Sequence, residues 1–128
     1  MGMALTVVQQ AYDAFRRQDI PAVLGLVAAE VDWEFIGSAN LPYSGRRQTR
    51  ETVADFFAAL AQAEDIHAFE SRNFIEADEH VTVLGWVKAT ARDTQRTYES
   101  EWVHVVTVRD GKIIHWRGFA NTAARYGV

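Results

Sequence analysis

The chain has 128 residues and a formal net charge of −4 at pH 7. This length is enough for a single domain (1–128) with a sizeable core and too short for two. Hydrophobic residues make up 48% and charged residues 23%, as in ordinary globular proteins. The acidic balance argues against a nucleic-acid partner, which needs a basic face, and the basic cluster Arg46, Arg47 and Arg50 is too short to reverse that conclusion.

Cysteine and long apolar segments are both absent from the sequence. Without cysteine neither disulfides nor a thiolate nucleophile are available. No apolar run approaches the roughly 20 residues that a membrane-spanning helix needs, and the N-terminus has no signal-peptide pattern. We therefore expect a cytoplasmic protein that has no membrane partner.

Metal and cofactor motifs are missing as well. The four histidines are scattered, without the His-x-x-x-His spacing or the cysteine pairs that bind zinc. Neither a phosphate-binding loop nor a dinucleotide-binding glycine pattern occurs. We predict no metal site and no cofactor.

The N-terminal region predicts two helices. Apolar residues recur at helical spacing over about 4–17, which indicates an amphipathic helix; its apolar face carries Leu5, Val8, Tyr12 and Phe15. Asp19 is a suitable N-cap, and Pro21 is tolerated in a first helical turn. A short second helix is therefore expected, with Val23, Leu24 and Val27 on its apolar side.

A strand, a loop and a third helix are predicted next. Residues 31–35 alternate between apolar and polar, which places Trp33 and Phe35 on the apolar face of a half-buried strand. Residues 37–45 contain Ser, Asn, Pro and Gly and are expected to form a loop, with Tyr43 in its apolar tip. Thr49 is the predicted N-cap of the third helix, whose buried stripe is Val53, Phe56, Phe57 and Leu60.

The remaining chain predicts antiparallel strands. Two are expected at 66–76 and 81–91, with a turn at Asp78-Glu79 and a polar loop at 93–96. Residues 98–122 then form a hairpin around Asp110-Gly111, because this pair supplies the positive φ angles of a type I′ turn. Helices first and strands afterwards is α+β organisation.

The hairpin carries polar residues at positions expected to be buried. Trp102 and His104 share one face of its first strand, and Arg117, Phe119 and Asn121 share one face of its return strand. His104, Arg117 and Asn121 stand where a plain core would have Val or Leu. We therefore single out these three as candidate catalytic residues.

The opposite face of the hairpin is apolar. Its residues are Val103, Val105, Ile114 and Trp116, which we place on the outside of the sheet. An exposed patch of this size is unusual for a monomer, so we predict a homodimer built on this face.

Motifs along nearly the whole chain carry a family resemblance. They are Trp33 on the first strand, Leu41-Pro42-Tyr43-Ser44-Gly45, Thr52-Val53-Ala54-Asp55-Phe56-Phe57, Val83-Leu84-Gly85, Trp102-Val103-His104, Arg109-Asp110-Gly111-Lys112-Ile113 and Arg117-Gly118-Phe119-Ala120-Asn121-Thr122-Ala123. In this order they resemble the nuclear transport factor 2-like superfamily, specifically its SnoaL-like or ketosteroid isomerase-like branch. The resemblance implies a curved antiparallel sheet wrapped around three N-terminal helices, forming a cone whose open end is a pocket, commonly in a homodimer.

The resemblance also implies chemistry from which this chain departs. Isomerase relatives use a carboxylate near the first strand to abstract a proton next to a carbonyl group, but Asp32 and Glu34 fall on the face opposite Trp33. SnoaL-like relatives often end Arg-Glu-Tyr-x-Asp-Thr, whereas this chain has Phe119 and Asn121 in place of the tyrosine and the aspartate. Both departures remove acid–base capacity.

One further pattern is only half present. An epoxide hydrolase arrangement needs two carboxylates around an arginine, and Glu101 beside Arg117 could supply one of them.

Two functions remain open. The first is a small enzyme that acts on an apolar, cyclic or carbonyl-bearing molecule by isomerase-, cyclase- or dehydratase-like proton transfer, with His104 as acid or base. The second is a pocket that binds a small hydrophobic ligand, or a dimerisation domain, without turnover; His104 is then a satisfied, partly buried histidine. In both, the predicted ligand-binding residues are Trp33, Phe35, Tyr43, Phe57, Trp102 and Phe119.

Overall fold

The computed structural model describes residues 2–128 and has the predicted α+β organisation, with a six-stranded curved sheet. The elements in chain order are α1 (Met3–Arg16), α2 (Ile20–Leu24), β1 (Val27–Ile36), β2 (Gly45–Thr49), α3 (Arg50–Ala63), β3 (Glu64–Ala77), β4 (His80–Ala91), β5 (Thr97–Arg109), β6 (Lys112–Ala120) and α4 (Thr122–Tyr126). The strand order is β2-β1-β6-β5-β4-β3. Helices α1 and α3 both pack against strands of this sheet.

One pair of neighbouring strands is parallel, which corrects the prediction of a wholly antiparallel sheet. Strands β1 and β6 run in the same direction, with Trp33 opposite Trp116, whereas the other neighbours are antiparallel. A tight turn determines the relative direction only of the two strands that it joins. Because β1 and β6 lie far apart in the sequence, no local pattern could predict their pairing.

The helix starts follow the predicted caps, while some element boundaries differ. The Asp19 side chain accepts a hydrogen bond from the first turn of α2, and Thr49 forms a capping box with Thr52 at the start of α3. Val27 is the first residue of β1 and not part of the second helix. Strand β2, which we did not predict, begins at Gly45, the last residue of the predicted loop. Its polar segment has little strand propensity and is a strand because it pairs with β1.

The β5–β6 turn confirms the Asp-Gly prediction. Asp110 has φ 52° and Gly111 has φ 77°, so both central residues have the positive φ that a type I′ turn requires. Arg109 lies opposite Lys112 across this turn. The hairpin therefore begins in the expected register.

A bulge a few residues beyond the turn changes that register. Val108 lies opposite Ile113 and Thr107 lies opposite His115, which leaves Ile114 as one extra residue in β6. Because side chains alternate with a period of two, one extra residue exchanges the faces of everything that follows.

The exchange overturns three predicted placements. Trp116 lies opposite Val106 and is buried beside it, whereas we had placed it on the outer face. Arg117 and Phe119 lie opposite Val105 and Val103, on the face away from His104. Their predicted position inside the pocket is therefore wrong.

Two glycines make room for large rings. A Cβ atom at Gly85 would lie 2.1 Å from Cζ2 of Trp102 and 2.3 Å from the backbone oxygen of Glu70, and one at Gly118 would lie 2.3 Å from Cη2 of Trp116. Glycine within a strand allows this kind of close approach by another group. Both indoles lie against backbone that carries no side chain.

The core occupies the space between the helices and the sheet. Val53, Phe56 and Phe57 of the predicted α3 stripe are buried, and so are Val83 and Val106 of the sheet. Leu60 of the stripe and Phe15 of α1 pack against this core while partly exposed. Within residues 2–128, none of the helices has both the length and the apolar character needed to cross a membrane.

Candidate functional site

A cavity of about 130 Å³ opens between the helices and the inner face of the sheet. Its walls are mainly aromatic. The sheet contributes Trp33, Trp102 and Trp116, and α3 contributes Phe56 and Phe57. Apolar walls of this kind favour a ligand that is itself largely apolar.

Most of the predicted ligand-binding residues lie in this wall. Trp33, Phe35, Tyr43, Phe57 and Trp102 all line the cavity. Phe119 does not belong to the lining and is 43% exposed on the outer face, as a result of the β6 bulge.

Stacked rings hold the wall in place. The rings of Trp102 and Phe69 stack with their centroids 4.8 Å apart and their planes at 13°. Trp102 also stacks on the imidazole of His104, with centroids 4.1 Å apart. Offset or stacked aromatic pairs add stability beyond their buried area, so these contacts stabilise the position of the His104 ring.

His104 is a buried, neutral group. It is 8% exposed, lines the cavity, and its Nδ1 shares a short hydrogen bond with the Tyr12 hydroxyl. Burial lowers the pKa of His104 to about 3 and raises the pKa of Tyr12 above its usual range. Both side chains are therefore uncharged near pH 7.

A neutral imidazole can offer the cavity a donor or an acceptor. When the Tyr12 hydroxyl donates to Nδ1, the His104 proton is on Nε2, which can donate to a ligand. In the other tautomer Nδ1 donates to the Tyr12 oxygen, and Nε2 is an acceptor. A depressed pKa makes His104 a weak base, since an effective general base has a pKa near the working pH.

Arg117 forms a separate cluster on the other face of the sheet. Its Nη2 donates to Oδ2 of Asp32 at 2.9 Å, its Nη1 donates to the Asp32 carbonyl at 3.3 Å, and its Nε lies 3.7 Å from Oε1 of Glu34. The hydrogen bond from Arg117 lowers the pKa of Asp32. The guanidinium is thus satisfied without a ligand, and nothing in its geometry supports the predicted catalytic role.

Asn121 lies at the rim. It is exposed, lines the cavity, and precedes α4 as its N-cap residue without a side-chain capping bond. Its backbone nitrogen donates to Oγ of Ser100 at 2.9 Å. The amide side chain can contact a ligand that enters there.

A buried ion pair, which the sequence reasoning missed, lies in the same wall. Glu64 and Arg125 are 3% and 2% exposed, and both line the cavity. Nε of Arg125 donates to Oε2 of Glu64 at 2.5 Å, and the Tyr43 hydroxyl donates to the same oxygen at 2.7 Å. Nη2 of Arg125 lies 3.3 Å from Oδ1 of Asp93, so one arginine stands between two carboxylates.

The pKa values in this cluster reflect burial and charge together. Burial, the neighbouring Tyr98 and the Glu64 carboxylate raise the pKa of Tyr43, which stays protonated. Burial opposes the Arg125 cation, but the hydrogen bond and charge of Glu64 outweigh it and raise the pKa of Arg125. The arginine therefore stays charged and balances the carboxylate.

No local signal identified this pair. Glu64 follows the last residue of α3 and Arg125 lies in α4, a five-residue helix that we did not predict. The two residues are 61 positions apart. A charged residue at the end of a helix is normally exposed. Glu64 and Arg125 are buried because α4 packs back against the sheet and brings them together.

Three residues of the cavity wall each have one buried polar atom without a hydrogen-bond partner among the described residues. These atoms are Oε1 of Glu64, Nε1 of Trp33 and Nε1 of Trp102. Within the same part of the chain, no group of three His, Cys, Asp or Glu side chains is placed to hold a metal ion.

These features define a small α+β protein with an aromatic-lined cavity between its helices and a curved sheet. The family model of the SnoaL-like domain matches residues 8–116. The chain belongs to the SnoaL-like family, within the nuclear transport factor 2-like superfamily.

Solved structures with the same fold are similar over almost the whole chain. An NTF2-like protein from Burkholderia xenovorans LB400 has a TM-score of 0.86 and 25% identity, covering 97% of this chain and 93% of its own. An NTF2-like protein of unknown function from Burkholderia pseudomallei K96243 has a TM-score of 0.85 and 27% identity, covering 96% and 94%. TerC, co-crystallised with polyporic acid, has a TM-score of 0.84 and 24% identity, covering 97% and 95%. A search of curated proteins finds no match.

Proposed function

We propose that this protein binds a small, largely apolar ring compound that bears a carbonyl group, and that His104 forms a hydrogen bond to that group. The observation that carries the proposal is the aromatic cavity with an uncharged imidazole in its wall. A neutral imidazole held by a second hydrogen bond can polarise a carbonyl by donating from its free nitrogen, as in enzymes that use imidazole as an electrophile.

The size of the cavity supports a ligand with one ring. An apolar cavity of about 150 Å³ in another protein holds a benzene molecule, and the present cavity measures about 130 Å³. A ring of this size can stack on the indoles of the wall. TerC, which shares the fold, was co-crystallised with polyporic acid, which adds support for an organic ligand in this chain too.

Turnover and simple binding lead to different expectations. Isomerase-, cyclase- or dehydratase-like proton transfer needs a group that accepts a proton near neutral pH, and the depressed pKa of His104 disfavours it in that role. This observation favours the second candidate, a non-catalytic ligand-binding protein. The two share the same ligand contact and differ only in whether a product forms.

The test is a titration with cyclohexanone, followed by tryptophan fluorescence. The wild-type protein should bind cyclohexanone more tightly than methylcyclohexane, which has a similar shape and no carbonyl oxygen. His104→Leu should remove most of that preference. His67→Leu, at an exposed histidine bonded to Thr90, is the matched control and should retain it.

Two outcomes would contradict the proposal. Failure of the wild-type protein to bind either compound would refute the cavity as a site for ring compounds. Binding of both compounds with a preference that survives His104→Leu would refute the role of His104.

A further inference from the structure

We infer that Glu64 is a second ligand contact in this cavity and accepts a hydrogen bond from a neutral hydroxyl group of the ligand. The inference rests on the proposed function, since it concerns the same cavity. It names the chemical class more closely: a single ring with a hydroxyl substituent, of the phenol type.

The carboxylate has one oxygen in use and one free. Tyr43 and Arg125 both donate to Oε2, whereas Oε1 is buried and has no partner among the described residues. Glu64 itself is 3% exposed and lines the cavity. A buried acceptor without a donor is unfavourable, and a donor carried by the ligand would relieve that cost.

The charge of the pair selects a neutral donor. Arg125 already balances the Glu64 carboxylate, with Asp93 as its second partner. An ammonium group would bring an additional cation close to Arg125, and an anion would face the carboxylate itself. A hydroxyl group donates a hydrogen bond to Oε1 without adding charge.

Glu64 and His104 lie in different parts of the wall. The ring of His104 contacts that of Trp116, Trp116 lies next to Phe35, and Phe35 lies next to Tyr43, with centroids 4.7, 6.4 and 5.2 Å apart. Tyr43 is the residue that holds Glu64. The hydroxyl contact is therefore distinct from the carbonyl contact at His104.

Tyr98 is the protein group that could compete for the free oxygen. It lines the cavity, and its pKa is raised by burial and then by the charge of Glu64. The Tyr98 hydroxyl lies near Glu64, whose hydrogen bonding also raises its pKa, but Oε1 is buried without a hydrogen-bond partner among the described residues. A ligand hydroxyl that bonds to Oε1 therefore competes with Tyr98 for it.

The experiment compares phenol with toluene, which has nearly the same shape and no donor. Dissociation constants are measured by tryptophan fluorescence for the wild type and for Glu64→Gln. The preference for phenol over toluene should fall about tenfold or more in the variant, as expected for a hydrogen bond to a charged group. The control is Glu70→Gln, a carboxylate on the same strand that is 51% exposed and paired with Arg72, and it should leave the preference unchanged.

A crystal structure of the wild type with phenol provides a test that does not depend on the folding of Glu64→Gln. The phenol oxygen should lie within hydrogen-bond distance of Oε1 of Glu64. A phenol oxygen bonded to His104 instead would overturn the inference.

The remaining outcomes separate this inference from the proposed function. If both compounds bind and Glu64→Gln leaves the preference for phenol unchanged, the role of Glu64 is wrong and the cavity remains a site for ring compounds. If a preference for phenol appears only in Tyr98→Phe, the tyrosine already occupies Oε1 and the inference is wrong. If the wild type binds neither compound, the proposed function fails and the inference with it.

Discussion

The indole of Trp116 stacks on that of Trp33 across the parallel β1–β6 pair, with ring centroids 4.3 Å apart and planes 15° apart. Both rings are buried and line the cavity. This contact joins the first strand to the last and forms part of the cavity wall, so stability and ligand binding depend on the same pair.

Trp116→Ala should therefore destabilise the protein by about 3–5 kcal/mol, the usual cost of deleting a buried tryptophan. The measurement is the free energy of unfolding in urea. Trp86→Ala is the matched control, because Trp86 is only half-buried, and its cost should be clearly smaller. Equal costs for the two variants would contradict the central position of Trp116.

Gly85→Ala should destabilise the protein by about 1–3 kcal/mol, as other overpacked cores do. The added Cβ would meet both Trp102 and the backbone oxygen of Glu70, and the backbone cannot move aside. Gly25→Ala is the control, since its Cβ would have ordinary contacts of 3.5 Å or more. Thermal unfolding that ranks Gly25→Ala as the worse substitution would refute the steric argument.

Acid should destabilise the protein through His104. Its folded pKa is about 3 and lies below the unfolded value, so the unfolded state binds the proton first as the pH falls. Stability contributed by neutral His104 is complete above the unfolded pKa of about 6.5, and is lost by about 1.4 kcal/mol per pH unit below it until the folded pKa is reached.

The measurement is the urea-unfolding free energy at several pH values between 7 and 4 in the wild type and in His104→Leu. Carboxylates contribute to both proteins and cancel in the difference. The wild type should lose stability more steeply than the variant. Parallel slopes would show that His104 is not buried as a neutral group. Because His104 stays neutral above pH 5, its titration should not change the affinity for a ligand in that range.

Arg125→Leu should cost about 3–5 kcal/mol, because it leaves the Glu64 carboxylate buried without its partner. The double variant Glu64→Leu/Arg125→Leu should recover part of that loss, since no unpaired charge remains. The control is Arg16→Leu, whose partner Asp13 is 55% exposed, with an expected cost within about 1 kcal/mol. A double variant less stable than either single variant would argue against the pairing.

The homodimer remains a prediction, but the residues of its predicted interface on the outer side of the sheet differ from those first named. The bulge moves Trp116 inward and places Phe119, 43% exposed, next to Val103 on the outer side of the sheet. Sedimentation at micromolar concentration should show a dimer, and Val105→Lys should dissociate it, because Val105 lies on the same outer side. The control is Val81→Ala, a substitution in the core, which should not change the oligomeric state. A wild-type protein that sediments as a monomer would contradict the prediction.

Local patterns were sufficient for much of the fold. The positive φ at Asp110 and Gly111, the cap at Thr49 and the apolar stripe of α3 follow from short-range geometry and propensity, and all agree with the structure. The alternation around Trp33 also placed that residue and Phe35 in the cavity wall. In each case the interactions that decide the structure lie within a few residues of one another.

The sequence by itself therefore determined the α+β organisation, the family and the aromatic character of the wall. Only the tertiary structure decided which polar groups face the cavity. A single extra residue at Ile114 turned Arg117 to the other face, where Asp32 satisfies it, and the return of α4 brought Arg125 against Glu64. Side-chain direction in a strand depends on register, and burial of a charge depends on a distant partner, so neither can be obtained from neighbouring residues alone.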